Sequence, residues 1–335
     1  MEIRDRRGLK DNAGQTLAQV SGDPGKLVLI HTGLTQLISL VLAVVDYYLE
    51  QQIGSTGGLG GLGTRSVLET VQSVLSLAWP VVLPLWQVGY LFAALKMARG
   101  YHVNTGDLVA GFHCFFPMLR LLLIQGMLYV AIAIVVCYPA SILFMLSPWA
   151  GSLYSEEFMT AQTLDTEAMM KAMMSAEVLV PMICIFAVLY LAVLIPVFYR
   201  MRMAQYCLLD EPQMGAMAAI RKSFQMMKGN AGAMVKLDLS FWWYYVLGGL
   251  AAVVTYLDVL LPVLGVELPW SRAVCYFGAF ILGGICQILL HWRWKNQVEV
   301  TYAHAYEILN QPREEKPVII EAGNVSWNSD NDPTL

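Results

Sequence analysis

Six long apolar stretches constrain the fold of this chain more than any other feature. Each is close to the roughly 20 residues that an α-helix needs to cross the hydrocarbon core of a bilayer. Water is excluded there, so backbone amides must pair within their own segment, and only helices satisfy them. The sequence therefore predicts an all-α, polytopic transmembrane bundle of about six spans with one interfacial amphipathic helix. The spans are residues 27–49, 67–94, 115–146, 178–199, 234–259 and 270–294.

The composition agrees with a chain that is surrounded mainly by lipid. Hydrophobic residues make up 57% of the 335 residues and charged residues only 14%, whereas soluble domains carry roughly a quarter charged residues. The formal net charge of -4 is small, and much of it lies in the C-terminal tail. It therefore indicates neither nucleic acid nor a strongly charged substrate.

Three regions follow from where the apolar stretches begin and end. Residues 1–26 are polar and of mixed charge, and we predict that they form a cytoplasmic N-terminal segment. Residues 27–309 form the transmembrane helical domain, in which residues 296–309 continue the last span as a helix of mixed polarity. Residues 310–335 are rich in Pro, Asn, Ser and Asp, a composition typical of disorder, and form a cytoplasmic tail.

The segment 212–228 has a different pattern, because apolar residues recur at helical spacing and basic residues occupy other positions. Pro212 suits a first helical turn, and Gly229 suits the position just past the last one. The pattern predicts a helix on the membrane surface whose positive charges attract anionic lipid. Its apolar residues are Met217, Ile220, Phe224 and Met227, and its candidate lipid contacts are Arg221, Lys222 and Lys228.

Lysine and arginine set the predicted orientation. With the N-terminus in the cytoplasm, only Arg65, Lys171 and Arg272 of the 21 lysines and arginines fall in outer loops. Basic residues collect in the cytoplasmic loops of membrane proteins, and an odd number of spans would move many of them to the outer side. We therefore predict a multi-pass protein of the cell (plasma) membrane with both termini in the cytoplasm.

Two cytoplasmic joints share a layout, first at residues 96–112 and again at residues 202–224. Each consists of a helix end, a basic flank, a short polar turn and an interfacial helix. Duplication of a helical hairpin explains this likeness, and internal repeats are common in transporters. Basic flanks on any cytoplasmic hairpin loop explain it as well, so both explanations stay open.

Short motifs at these joints and in the last two spans occur in a fixed order. They are Gly89 with Ala98-Arg99-Gly100, Asp107-Leu108 and Gly111-Phe112; Ala219, Ser223-Phe224 and Met227-Lys228-Gly229; Leu239-Ser240-Phe241 with Trp242 or Trp243; and Thr301, Ala303 and Tyr306-Glu307. In these motifs the chain resembles an uncharacterised bacterial multi-pass membrane family, domain of unknown function 975. That family is itself similar to the membrane portion attached to some glycerophosphodiester phosphodiesterases. The resemblance implies a membrane-embedded helical domain and brings no substrate, cofactor or catalytic residue.

Ionisable side chains inside a bilayer are candidate sites, because each costs about 2.5–3.5 kcal/mol at a helix centre on insertion scales. Arg120 lies at the inner end of the third span, and Asp238 lies at a comparable depth in the fifth. We predict that they pair across the bundle, since two charges in low-dielectric surroundings satisfy each other. In the alternative, Arg120 reaches lipid phosphate and Asp238 meets Lys236 or water.

The other polar residues near mid-span, His31, Gln36, Gln125, Gln287 and His291, are explained by hydrogen bonds between helices. The six cysteines occur singly, without metal-site or disulfide spacing, and are interpreted as small buried hydrophobes. No HExxH, GxSxG or phosphate-loop motif is present. We therefore predict no catalytic residue, no metal site and no cofactor, and we expect that the protein is not an enzyme.

Two functions fit these features, and an intramembrane enzyme with scattered catalytic groups fits them less well. The first is a membrane scaffold domain that binds membrane lipids or a membrane protein partner, and no nucleic acid. The second is a transporter or flippase-like carrier of a small or lipid-like substrate, indicated by the repeat, by Arg120 and by the prolines of the second span. A scaffold predicts a closed bundle with an apolar groove, whereas a carrier predicts a polar cavity near mid-membrane.

Overall fold

A computed structural model describes residues 3–55, 62–147, 176–263 and 271–311, and the regular elements in these ranges are helices. The predicted all-α bundle is confirmed. Nearly all of the predicted disordered tail lies outside the described residues. The helices are α1 (Arg6–Gln19), α2 (Pro24–Ser55), α3 (Leu62–Ala98), α4 (Phe115–Met145), α5 (Ala176–Met201), α6 (Ala204–Asp210), α7 (Ala216–Met227), α8 (Ala231–Leu239), α9 (Trp242–Thr255), α10 (Leu257–Val263) and α11 (Arg272–Asn310), with a 3₁₀ segment at Thr105–Cys114.

Each predicted span coincides with a helix or with a pair of helices. Helices α2 to α5 cover the first four spans, α8 and α9 cover the fifth, and α11 covers the sixth and continues to Asn310. By length and composition, four helices within the described ranges can cross a membrane, or five if α8 and α9 count as one span. In α3 the apolar stretch Val82–Ala98 is shorter. α1 lies in the polar N-terminal segment, where we predicted no helix.

The outer faces of α4 and α5 require an apolar solvent. Only 17% of the most apolar window of α4 is buried inside the bundle, and none of the corresponding window of Val180–Asp210 is buried. On α4, Phe116 is 79% exposed and Met127 is 73% exposed. Soluble monomers rarely expose apolar patches of this extent. The chain is therefore a membrane protein.

Helix α11 is the central element of the bundle. It packs against α1, α2, α3 and α9, whereas α4 and α5 pack mainly against each other. The larger core lies where α3, α4 and the short helices α6 to α8 meet the C-terminal half of α11, and it includes Leu95, Met118, Leu237 and Tyr306. A second core, around Tyr90, joins α1, α2 and α3. The described part of the bundle is thus packed most tightly at the end where α1 lies.

The fifth span, predicted over residues 234–259, is bent and consists of two helices. Helices α8 and α9 meet at 62° around Ser240 and Phe241. The Ser240 hydroxyl donates to the Leu237 carbonyl at 2.6 Å, a local contact of serine that bends helices. The Ser240 carbonyl lies at the break, and it accepts a hydrogen bond from the Lys10 ammonium of α1 at 2.7 Å. The Lys10 ammonium also lies 4.0 Å from the centroid of the Phe241 ring. Helix α1 therefore stabilises the bend.

We expect Lys10→Met to lower the free energy of unfolding by about 1.5–3 kcal/mol, the value of one hydrogen bond that involves a charged group. Lys26→Met is the matched control, because Lys26 is exposed at the start of α2. Thermal unfolding of both variants in detergent, followed by circular dichroism, measures the difference. Equal melting temperatures for the two variants would contradict a stabilising role for Lys10 at the bend.

The predicted surface helix is present as α7, but it is shorter than the segment 212–228. It begins at Ala216 with Gly215 as its N-cap, and Pro212 lies in the preceding turn. It ends at Met227, and Gly229 follows with φ +82°, the left-handed conformation that favours glycine after a helix. The predicted C-terminal end is therefore confirmed, and the predicted start lies about one turn too early.

Small residues attach α7 to the bundle. Ala219 and Ser223 are fully buried against α4, α5 and α6, whereas Met217 of the predicted apolar stripe is 52% exposed. Alanine and serine let helices approach closely, so they replace the larger residues at the contact. The face of α7 that packs on the bundle is consequently rotated from the predicted one, although Met227 belongs to both.

Candidate binding cleft

A cleft of about 490 Å³ lies between α3, α4, α11 and the junction of α5 with α6. Helix α4 lines it with Leu119, Leu122 and Leu123, and α5 adds Phe198. The polar and charged side chains come mainly from the other helices. They are Gln87 on α3, Gln125 on α4, Arg202 and Gln205 at the α5–α6 junction, and Glu299 and Tyr302 on α11. The lining therefore combines an apolar surface with several polar and charged side chains.

Arg202 lies at the break between α5 and α6 and forms an ion pair with Asp238 of α8. The hydroxyl groups of Tyr199 and Tyr302 also donate to the Asp238 carboxylate. The Arg202 guanidinium carbon lies 3.9 Å from the centroid of the Tyr302 ring, within the range of a cation–π contact. These contacts satisfy the Asp238 charge and join α5, α8 and α11.

The predicted pair of Arg120 and Asp238 is wrong, because Asp238 is paired with Arg202. Arg120 is exposed on α4. Both arginines lie near an end of their helix, but the break after α5 places Arg202 against α8 and α11. Of the residues that the structure describes, only Arg202 forms an ion pair with Asp238, so the alternative contact with Lys236 is also wrong.

A second buried polar chain runs from α2 to the cleft. Lys295 of α11 is 6% exposed, and its ammonium donates to His31 Nδ1 and to Gln87 Oε1, each at 3.2 Å. The Gln87 amide in turn donates to the Glu299 carboxylate at 3.4 Å. Gln87 therefore bridges Lys295 and Glu299, which lie one helical turn apart on α11.

Sequence reasoning missed Lys295, Glu299 and Tyr302, because the last span was predicted to end at Trp294. A signal was present: Lys295, Glu299, Tyr302 and Tyr306 recur every three or four residues, the spacing of one helix face. A polar stripe on a helix that continues an apolar span indicates that this face meets other helices rather than solvent.

The predicted hydrogen bonds between helices are confirmed for most of the mid-span polar residues. Gln36 of α2 donates to Gln287 of α11, and His291 of α11 bonds to the Thr32 hydroxyl at 3.4 Å. Gln125 donates to a backbone carbonyl of α5 at 3.4 Å.

Within the described ranges, no group of three or more His, Cys, Asp or Glu side chains could hold a metal ion.

A family model described as a protein of unknown function, DUF975, matches residues 4–293. The chain belongs to the DUF975 family. No curated protein and no solved structure matches it. The match includes Arg202 and Asp238 and ends before Lys295 and Glu299. The similarity to the membrane portion of glycerophosphodiester phosphodiesterases stays a prediction.

Several residues of the DUF975 resemblance meet where α3, α6 and α11 end. The Arg99 guanidinium donates to Asp210 at 2.7 Å and to Glu307 at 2.8 Å. The Tyr306 hydroxyl donates to Asp210 at 3.0 Å. Gly100 follows α3 with φ +74°, which turns the chain toward the 3₁₀ segment. These residues join three helix ends and do not line the cleft.

Two further motif positions hold the joints after α3 and after α5. The Asp107 carboxylate pairs with Lys96 at 2.8 Å and accepts from the Asn104 backbone amide at 2.9 Å, which caps the 3₁₀ segment. The buried Ser223 hydroxyl of α7 donates to the Arg200 carbonyl at 2.7 Å. In both joints a short helical piece folds back on the helix that precedes it, although hairpin duplication itself stays a prediction.

The basic residues of α7 do not act as one free patch. Lys222 donates to Glu211 at 2.6 Å, whereas Arg221 and Lys228 are exposed. Lipid contact by these three side chains stays a prediction.

A second concentration of positive charge lies on α1. Arg4, Arg6, Arg7 and Lys10 line a depression of about 510 Å³ together with Asp5 and Ser240. Burial, and then the neighbouring Arg6 charge, lower the pKa of the Lys10 ammonium from its ordinary value. The N-terminal segment is therefore a more basic surface than α7.

Proposed function

We propose that this DUF975 protein is a membrane-embedded scaffold domain that binds one lipid or lipid-like amphiphile in the cleft between α3, α4, α5 and α11. The observation that carries the proposal is the mixed lining, in which α4 contributes leucines and the α5–α6 junction and α11 contribute Arg202, Gln205 and Glu299. The volume of the cleft, about 490 Å³, falls within the roughly 300–1,000 Å³ typical of small-molecule sites. A hydrocarbon chain would lie against the leucines, and a headgroup would bond to the polar side chains.

A carrier of such an amphiphile is the second candidate. Lys295 and Glu299 are mostly buried in a membrane-crossing helix, and intramembrane charges often mark substrate paths. The breaks after α5 and between α8 and α9 are of the kind that transporters place at their binding sites. These features support movement of a bound molecule, whereas a scaffold needs only its retention.

We further infer that the protein resides in the cell membrane with both termini in the cytoplasm and that it acts without catalysis. The unequal distribution of lysine and arginine supports this orientation. Reporter tags on the two termini would then be found on the same, cytoplasmic side. Tags on opposite sides would contradict it.

The first test fills the cleft. Gly126 lines it, and a Cβ added there meets no atom within 4 Å, so we expect Gly126→Leu to be accommodated and to occupy part of the cavity. Gly249→Leu is the matched control, since Gly249 of α9 has equally open space and lies outside the cleft. We expect mass spectrometry after detergent purification to find one bound lipid per chain in the wild type and in Gly249→Leu, and none in Gly126→Leu.

Retention of the same lipid by all three proteins would show that the cleft is not the binding site.

Proteoliposomes with fluorescent lipid in one leaflet separate the two candidate functions, scaffold and carrier. A carrier would accelerate exchange between leaflets in the wild type but not in Gly126→Leu, whereas a scaffold would leave the exchange unchanged.

A further inference from the structure

Two charged side chains line the cleft, and within the described part of the chain only one of them, Arg202, forms an ion pair. Arg202 is paired with Asp238, whose carboxylate also accepts hydrogen bonds from Tyr199 and Tyr302. The Arg202 guanidinium is further covered by the Tyr302 ring at 3.9 Å. An anionic ligand would therefore have to compete with Asp238 for this arginine.

Glu299 is in a different situation. It lines the cleft, and its hydrogen-bond donor is the neutral Gln87 amide at 3.4 Å. The nearest cation along α11, Lys295, directs its ammonium to His31 and Gln87 instead. Within the described part of the chain, Glu299 forms no ion pair with lysine or arginine. Lys295 and Arg202 offset the Glu299 charge only through space, and among the described residues no cationic side chain donates a hydrogen bond to it, so a cation in the cleft that donates directly would stabilise it further.

We propose that the cleft selects an amphiphile that carries an ammonium group and that Glu299 is the counter-ion of this group. This inference rests on the proposed lipid-binding function and names the headgroup. A primary ammonium has three donors, which Glu299 and the side-chain carbonyl oxygen of Gln205 can accept. An anionic headgroup beside Glu299 would instead meet a like charge, and such like-charge contacts exclude wrong ligands.

Phosphatidylethanolamine and phosphatidylglycerol are the appropriate probes, because they share a phosphate and differ in the ammonium group. The full chain is reconstituted in vesicles with equal amounts of the two lipids and identical acyl chains, extracted in a neutral maltoside detergent, and its bound lipid is quantified by mass spectrometry. We expect the wild type to retain phosphatidylethanolamine over phosphatidylglycerol by about tenfold, the factor for one charge-assisted hydrogen bond.

Glu299→Gln is expected to remove this preference while the protein still binds one lipid and melts at the same temperature or higher. Glu211→Gln is the matched control, because it deletes a carboxylate that pairs with Lys222 on the exposed surface. It should retain the wild-type preference. Free ethanolamine in excess tests the second source of the same chemistry: its failure to displace the lipid assigns the site to a lipid headgroup, and displacement assigns it to a free amine.

Two results would overturn the inference, and they differ in what else they imply. Equal retention of both lipids by wild type and Glu299→Gln, with loss of lipid in Gly126→Leu, would reject the ammonium headgroup and keep the lipid-binding cleft. Absence of bound lipid in the wild type would reject both.

Discussion

Asp238→Ala is expected to lower the free energy of unfolding by about 3–5 kcal/mol, because the Arg202 guanidinium would stay buried without its counter-ion. The Arg202 and Asp238 side chains are only 16% and 15% exposed, so solvent screens the loss weakly. The Tyr199 and Tyr302 hydroxyls would also lose their acceptor. We expect most of the detergent-extracted variant to be aggregated on size-exclusion chromatography.

Arg120→Ala is the control, since Arg120 is exposed and its loss should leave the elution profile and melting temperature unchanged. The double variant Arg202→Met with Asp238→Leu removes both charges together. It should recover much of the folded yield, because replacing a buried pair by apolar residues is often neutral. A defect in Arg120→Ala as large as that of Asp238→Ala would contradict the assignment of Arg202, rather than Arg120, as the residue that depends on Asp238.

The bounds of the spans could be predicted from the sequence because the bilayer constrains the length and the apolar composition of each spanning segment. A helix that crosses it must be long and apolar wherever its neighbours lie, so α2, α4, α5 and α11 appear in hydropathy alone. The bend between α8 and α9 is a different kind of feature. It depends on the Lys10 ammonium, which comes from the distant α1 to meet the Ser240 carbonyl.

The partner of Asp238 illustrates the same limit. Arg120 and Arg202 both lie near an end of a span, and the sequence gives this position along the span but not the direction in which a side chain points. The break after α5 and the stacking on Tyr302 decide in favour of Arg202. Packing between helices that are distant in sequence therefore sets the pairing.

The cleft could be predicted only in part. Gln125 was recognised as a polar residue near mid-span, and it lines the cavity. Glu299 lies beyond the predicted end of the last span, in a segment whose mixed polarity suggests a solvated helix. Because α11 is central to the bundle, that segment is surrounded by α1, α3 and α9, and its polar stripe is buried rather than solvated.

Gly89→Ala is expected to destabilise the protein by on the order of 3 kcal/mol, because α3 and the 3₁₀ segment touch at this glycine. A Cβ at Gly89 would collide with the backbone carbonyl of Leu108, which cannot rotate away as a side chain can. Leu108 is fully buried, so separating the two backbones would open the core around Tyr90.

Gly249→Ala is the control, since a Cβ added at Gly249 meets no atom within 4 Å. Alanine has a better helix propensity than glycine, so this variant should be more stable than the wild type by up to about 1 kcal/mol. Thermal unfolding in detergent compares the two variants. The 3₁₀ segment leads directly into α4, so Gly89→Ala should also displace Leu119 and Leu122 and reduce the lipid retained in the cleft. If Gly89→Ala has the same melting temperature as Gly249→Ala and retains its lipid, then the close approach of α3 to Leu108 does not position α4.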